Sequence, residues 1–527
     1  MIAGGQLSAT RGLKIAAPVA ALAAVAAIVR LPFLGTLGPD EGGYAYVARE
    51  WSRGSELYGG AWIDRPQGLV LVYRLLLSIG HTAVAIRLGA VLAGVAITLL
   101  LVVIGRLLES PAAGLIAALL YAVVGVGPHI EGYTFNGELA AAVPVTAAVA
   151  AAAVARLDRR SNRWLALAGA LGGTAILMKQ SGFDGLVVAC FAGAAAASSR
   201  RDRLRRLAVV VAGAAAPLLA SVAAGWLDGW HAYWSAVGGY RLGHASLAYR
   251  AGHLVQTLPG AARDLAPLAI AAAVAFRRRP PTLAIVWLAA ALAGFNLGGS
   301  YWPHYYVQLL PPLALVAGIG IARIKREWVS LLAVAVVTAP VLLFVGRLES
   351  ASDFRRDVMV KYALGFENDQ RIARYVRSHT SARDTVYAFV SRADFYFLAD
   401  RKAASPYLWA NPLKAIPGAL ASLERRLAGP HRPKIVVVFQ CLPRRRRLGR
   451  RLEPIIRRHY QLVWRAPRTG TAVLAARASI PRFAGPARDS CGRTPDVRRP
   501  SGRAEIRAPR GRGRHSGPKD MPVRDST

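Results

Sequence analysis

Long, nearly charge-free apolar runs recur along this 527-residue chain, near 14–34, 83–105, 111–128, 138–155, 164–180, 183–198, 207–226, 263–276, 282–298, 306–322 and 329–346. This pattern constrains the fold more than any other feature. A bilayer core is ~30 Å thick and is crossed by a helix of ~20 apolar residues. Only a helix or a closed barrel satisfies its own backbone there. The runs predict a polytopic α-helical membrane protein with about eleven transmembrane helices. Composition agrees, at 54% hydrophobic and 18% charged, against ~25% charged in a typical soluble domain.

The net charge of +38 invites a nucleic-acid reading, but the position of the charge argues against it. Arg11 and Lys14 precede the first run, and Arg106 follows the second. Arg156, Arg159, Arg160 and Arg163 follow the fourth, and Arg200 to Arg206 follow the sixth. Arg277, Arg278 and Arg279 follow the eighth, and Arg323, Lys325 and Arg326 the tenth. Every second connection is basic, as the positive-inside rule requires of cytoplasmic loops. The N-terminus is then cytoplasmic, and the 35–82, 127–137, 227–262 and 298–305 connections face outside, as does everything after Arg347. A bacterial inner membrane fits this pattern. The first run is longer than the apolar region of a signal peptide and is read as a retained helix. Cys190, Cys441 and Cys491 show neither metal-ligand nor disulfide spacing.

Residues 350–478 have frequent charges and short apolar runs. Thr385–Val390 and Lys434–Phe439 read as buried strands, and Phe366–His379 and Ala415–Leu427 as amphipathic helices. The division expected is a membrane module over 1–346, a small extracytoplasmic α/β domain over 347–480, and a disordered, Arg-, Pro- and Gly-rich tail over 481–527.

Chemistry-bearing residues gather in the outer connections. The first reads Gly38-Pro39-Asp40-Glu41-Gly42-Gly43-Tyr44-Ala45-Tyr46 and continues to Asp64-Arg65-Pro66-Gln67-Gly68. Asp40 has two readings, a helix N-cap after Pro39 and a catalytic acid. Tyr44, Val47 and Trp51 share a face at helical spacing, which suggests an amphipathic helix on the membrane surface. Arg65 is a phosphate ligand or an interfacial arginine meeting lipid headgroups. Glu131 and Glu138 lie in the second outer connection, where Glu138 also suits a helix N-terminus. Lys179 ends the fifth run and Tyr301-Trp302-Pro303-His304-Tyr305-Tyr306 precedes the tenth. Their ordinary readings are a snorkelling lysine and an aromatic belt.

Pro39-Asp40-Glu41 through Tyr46, Asp64-Arg65-Pro66-Gln67-Gly68 and the topology resemble the bacterial GT-C glycosyltransferases of the dolichyl-phosphate-mannose protein mannosyltransferase type, which include the aminoarabinose transferase that modifies lipid A. The resemblance covers roughly residues 15–345. The family usually has Lys-Pro-Pro-Gly where this chain has Arg65-Pro66-Gln67-Gly68; arginine keeps the charge. The resemblance implies a sugar donor linked through phosphate to a polyprenyl lipid, transferred to a protein, lipid or glycan acceptor. It implies Asp40 as general base with Glu41 beside it orienting the acceptor, and Glu138 as a facing catalytic acid. Arg65, Lys179 and His304 would meet the donor phosphate, and Tyr44, Tyr301 and Tyr305 would bind substrate. The scheme requires no cofactor and leaves room for a divalent metal. The competing class is a membrane transporter or flippase for a lipid-linked or anionic substrate. Transporters carry charges mid-span, whereas these charges lie at helix ends.

Overall fold

The computed structural model describes residues 3–158, 161–240, 246–351, 366–389, 391–439, 447–465 and 471–482. Arg159, Arg160, Cys441, Cys491 and residues 483–527 of the basic tail lie outside the described residues. The chain opens with α1 (Ala3–Ile28), then α2 (Pro39–Ser52), α3 (Gln67–Ile79), α4 (Ala83–Leu108), α5 (Pro111–Val124) and α6 (Gly137–Ala155). It continues with α7 (Ser161–Met178), α8 (Asp184–Ala195), α9 (Arg200–Trp234), α10 (Leu247–Ala275) and α11 (Thr282–Gly298). A 3-10 turn (Pro303–Gln308) leads into α12 (Leu310–Ala322), followed by α13 (Glu327–Glu349).

A helix forms within each of the eleven predicted runs. Among the described residues, six helices are long and apolar enough to cross a membrane: α1, α4, α6, α9, α10 and α13. The other runs form shorter or less apolar helices, and α3 adds one more short apolar helix inside what the sequence reads as an outer loop. The 227–262 connection is also largely helical: α9 continues through a kink at Gly229, where φ is 114°, and α10 begins at Leu247. Leu219, Leu227, Leu331 and Leu343 stand exposed on these helices, as expected of surface that faces lipid tails. The protein is a multi-pass membrane protein.

With lipid outside, helices associate through close packing rather than through expulsion of apolar surface. The α7–α9 contact shows how. A Cβ on Gly169 would lie 2.1 Å from the Val210 carbonyl oxygen, and one on Gly213 would lie 2.2 Å from that of Ala166. Only residues lacking a side chain let these two backbones meet. The α4–α5 and α6–α7 pairs and the packing of α12 on α5 and α10 complete the bundle around the buried α6.

After α13 come α14 (Phe366–Ser378), β1 (Thr385–Phe389), α15 (Ala393–Ala399), β2 (Lys402–Ala403), α16 (Ala410–Ala415), α17 (Ala419–Ala428), β3 (Ile435–Val438), α18 (Arg447–His459), β4 (Tyr460–Arg465) and β5 (Ala472–Ala476). The sheet order is β2-β1-β3-β5-β4, with β1 parallel to β2 and β3, and β5 antiparallel to β3 and β4. The central strands are continuous apolar runs because both sheet faces are covered. Val386, Ala388, Ile435 and Val437 join the core that continues through α14 and α15 to the membrane helices. Tyr387, Phe389, Val436 and Val438 alternate to the far face and pack on Leu423, Leu427, Leu452 and Ile456 of α17 and α18. The two strands and two helices expected here form; β2, β4, β5, α15, α16 and α18 were not foreseen.

The sequence suggests that α2 lies on the membrane surface by one apolar face. It is instead enclosed: Glu41 through Glu50 are all buried, because α15 packs directly on it. Arg49 pairs with Asp400 at 2.9 Å and donates to the carbonyls of Tyr396 and Phe397. The Tyr46 hydroxyl accepts the Ala403 amide at 2.8 Å. Two glycines inside one helix cost about 1 kcal/mol each relative to alanine. Their position explains the tolerance. A Cβ on Gly42 would lie 2.4 Å from the Asp394 Cα, and one on Gly43 would lie 2.5 Å from the Trp409 ring. The membrane helices and the sheet therefore form one compact unit.

Gly42→Val tests this docking. The added bulk meets backbone, so the expected loss is roughly 1–3 kcal/mol. It is read as a lower unfolding midpoint in detergent together with faster proteolysis of the α/β layer.

Candidate active site

The residues of interest converge where α2, α6 and the 303–308 turn meet beneath the α/β layer. The first of them begins with the cap of α2. Gly38, not Asp40, is the N-cap residue, and Glu41 at the third helical position reaches back to accept the Gly38 amide at 2.9 Å. Asp40, relieved of capping, is left facing inward. Glu41 is 1% exposed. Its other oxygen accepts the Phe135 amide at 2.7 Å, and Arg87 of α4 pairs at 2.8 Å with the oxygen that accepts Gly38. Arg87 also donates to the carbonyls of Thr36 and Tyr133. Glu41 is thus fully engaged in holding α2, the 133–135 segment and α4 together. The adjacent acids of the sequence have different surroundings and different work.

Asp40 keeps 38% of its side-chain surface exposed, although protein surrounds it closely enough for burial to act on its charge. One oxygen accepts the Trp409 indole N–H at 2.9 Å, and the other lies 3.9 Å from His304 Nε2. Burial raises its pKa, opposed by His304 and Arg65. His304 Nε2 is also 3.9 Å from Glu138, while Nδ1 lies 3.4 Å from Glu131. Burial alone would depress the imidazole; Glu138, Glu131 and Asp40 together outweigh it and lift its pKa to about 9. His304 is an imidazolium at neutral pH.

Glu138 opens α6, whose N-cap is Asn136, accepting the Leu139 amide at 3.2 Å. It is 2% exposed, and one oxygen is ion-paired to Lys179 at the end of α7. Its other oxygen, Oε2, finds no hydrogen-bond partner among the described residues. The Lys179 ammonium lies 3.5 Å from the Tyr305 ring centroid. Arg65 pairs with Asp64 at 3.2 Å and is 4% exposed, with Nε unpartnered. The turn carrying it is pinned by Tyr58, whose hydroxyl donates to the Arg65 carbonyl at 3.0 Å, and by Gln180, which donates to the Asp64 carbonyl at 2.8 Å. Gln67, where the family pattern has a proline, exchanges hydrogen bonds with Ser221 of α9.

The sequence-predicted residues divide accordingly. Asp40, Glu138, Lys179, His304, Arg65, Tyr44 and Tyr305 share one neighbourhood. Tyr44 packs edge-on against Tyr73 and 5.9 Å from Trp409. Glu41 is buried behind the cluster. Tyr301 turns away from it, donating to Asn296 at 2.9 Å and packing 5.1 Å from Phe295. Sequence reasoning missed Trp409 altogether and passed over Glu131 as the partner of His304. No spacing signal links residue 409 to residue 40; only the docking of the α/β layer does.

A buried carboxylate facing several cations, with one more carboxylate half open, suits abstraction of a proton beside stabilisation of a departing anion. Comparison with known proteins agrees with this class of fold. Residues 64–226 match the family model of the dolichyl-phosphate-mannose-protein mannosyltransferases. The structure is similar to that of ArnT from Cupriavidus metallidurans bound to undecaprenyl phosphate, with a TM-score of 0.63 at 17% identity over 89% of this chain and 98% of that one. Apo ArnT from the same organism gives 0.62 at 18% identity over 91% and 100%. The archaeal oligosaccharyltransferase AglB from Archaeoglobus fulgidus, in complex with an inhibitory peptide and a dolichol-phosphate, gives 0.51 at 13% identity over 89% and 75%. No curated protein matches the sequence. The chain shares the GT-C fold of these structures.

Two measurements probe the cluster. Removing one member of a buried ion pair leaves an uncompensated charge and costs about 3–5 kcal/mol. Glu138→Gln and Lys179→Met are each expected to lower the unfolding midpoint strongly, and the double variant to recover most of it. His304 has a folded pKa above the ordinary value near 6.5, so its stabilisation is complete below about pH 6.5 and lost as pH rises towards about 9. The difference amounts to about 3 kcal/mol. His304→Gln is expected to flatten the fall in thermal stability across that window.

Proposed function

We propose that this chain is an inverting glycosyltransferase that moves a sugar from a polyprenyl-phosphate donor to an acceptor at the extracytoplasmic face of a bacterial inner membrane, with Asp40 as general base. The observation that carries this reading is a half-open carboxylate facing a fixed set of cations: His304 lies 3.9 Å from Asp40 and 3.9 Å from the Glu138 that also binds Lys179. The undecaprenyl phosphate and dolichol-phosphate named for ArnT and AglB support a lipid phosphate as the departing group.

The chemistry follows from these groups. An acceptor O–H or N–H attacks the anomeric carbon as the bond from that carbon to the phosphate oxygen breaks. The proton passes to Asp40, a general-base contribution of about 10²–10⁴-fold. The polyprenyl phosphate leaves with its charge met by Arg65, Lys179 and His304, groups already oriented before reaction. Glu138 holds Lys179 and His304 in place, and Glu41 holds the start of α2. Tyr44 and Tyr305 line the site for the sugar. A single base and a direct displacement give inversion. In this arrangement the membrane module ends near residue 346 and the α/β domain, residues 347–480, covers the site from outside.

The test uses detergent-purified protein and radiolabelled polyprenyl-phosphate mannose, arabinose or glucose. Asp40→Asn is expected to lower turnover at least 10²-fold, with activity kept in EDTA. Full turnover by Asp40→Asn removes the base assignment. Loss of activity in EDTA redirects the reading to a metal-assisted transferase. Binding without consumption of every donor favours the transporter.

A further inference from the structure

We propose that Trp409, on the α/β layer, is a positioning residue for the Asp40 carboxylate, so that the site is complete only when that layer is docked. The proposal rests on the reading of Asp40 as the base. The geometry is direct: the indole N–H holds one carboxylate oxygen at 2.9 Å and leaves the other on the His304 side. Asp40 can swing about its own side-chain bonds, and among the described residues the Trp409 N–H is the hydrogen bond that fixes it. The remaining groups that face it act through charge. They are His304 from the 303–308 turn, Arg65 from the segment before α3, Glu138 from α6, and Glu41 on its own helix.

Trp409 is itself held. Its ring lies 5.9 Å from Tyr44, and the next residue donates its amide to Ser391 at 2.9 Å. Gly43, one helical turn along the face of α2 that carries Asp40, supplies the space: any Cβ there would sit 2.5 Å from the indole. Asp40 and Gly43 are three residues apart, so the same stretch of α2 carries the base and the recess for the residue that aims it. The anchors Arg49–Asp400 and Tyr46–Ala403 lie farther along that helix. An N–H that donates to a carboxylate favours its charged form, and an indole does not titrate over the working range. Trp409 therefore aims Asp40 and adds to the pull of His304 and Arg65 against the rise that burial causes, without adding charge that would compete for the donor phosphate.

The experiment compares wild type, Trp409→Phe, Gly43→Ala and Asp40→Asn as full-length protein in detergent. The first readout is the pH profile of kcat/KM with the radiolabelled polyprenyl-phosphate sugars. The second is the titration of the Asp40 carboxyl by infrared difference spectroscopy against Asp40→Asn, which needs no substrate. Trp409→Phe keeps an aromatic ring and loses the donor. The carboxyl titration and the acidic limb of the profile are both expected to move up by about one pH unit, with unfolding midpoint near that of wild type. Gly43→Ala, which displaces the indole while keeping both partners, is expected to shift them in the same direction. An unmoved titration and acidic limb in Trp409→Phe, with Asp40→Asn inactive, overturns the role of Trp409 and spares the base. Full activity in Asp40→Asn overturns the base reading and the positioning role with it.

Discussion

The ion pair between Glu41 and Arg87, 2.8 Å apart with both side chains almost wholly buried, joins more of this molecule than any other contact at the site. One carboxylate accepts the amides of Gly38 and Phe135, and one guanidinium reaches the carbonyls of Thr36 and Tyr133. Removing two charges from water costs several kcal/mol per ion, and the pair persists only because nearly every hydrogen-bonding position is filled. The return is geometric. The start of α2, which carries Asp40, and the segment that leads into α6 and Glu138 are clamped to α4 as a unit. Two carboxylates from distant parts of the chain consequently reach the same histidine.

The site concentrates charge that would be unfavourable piece by piece. Asp40, Asp64, Glu131 and Glu138 face Arg65, Lys179 and His304 in a protein-enclosed space, and each acid shifts what the others do. His304 stays protonated because three carboxylates surround it. Glu138 stays beside Lys179, which in turn lies against the ring of Tyr305. A cluster assembled in this way holds its cations in fixed positions against the carboxylates, and preorganised charge of this kind needs no reorganisation when an anion forms beside it. Bound waters and flexible side chains on a surface would reorient first.

The α/β layer is more than a cover. One face of its sheet continues the core of the membrane bundle through α14 and α15, while its far face packs on α17 and α18. Because both faces are spent on packing, the layer meets α2 through short elements at its edge, chiefly α15 and the start of α16. Gly42 and Gly43 permit that approach. The two glycines look like helix weaknesses in the sequence; in the structure they set the distance between α2 and the α/β layer.

The sequence by itself determined the polytopic helical body, the separate α/β region, and the place of Asp40, Glu138, Arg65, Lys179 and His304 near helix ends. These are legible because apolar run length answers to bilayer thickness and strand and helix periodicities answer to local geometry. The family resemblance supplied the pairing of acids with phosphate-binding cations. Tertiary structure alone decided that Gly38 caps α2, that Glu41 is a fastener and Asp40 faces the site, that Tyr301 packs elsewhere, and that Glu131 and Trp409 belong with His304 and Asp40. The contacts of Glu131 with His304 and of Trp409 with Asp40 join residues 173 and 369 positions apart, and adjacent acids have the same local sequence signature whichever one turns inward. Helix rotation is set by packing on both sides, and the second side of α2 is supplied by residues 393 to 409.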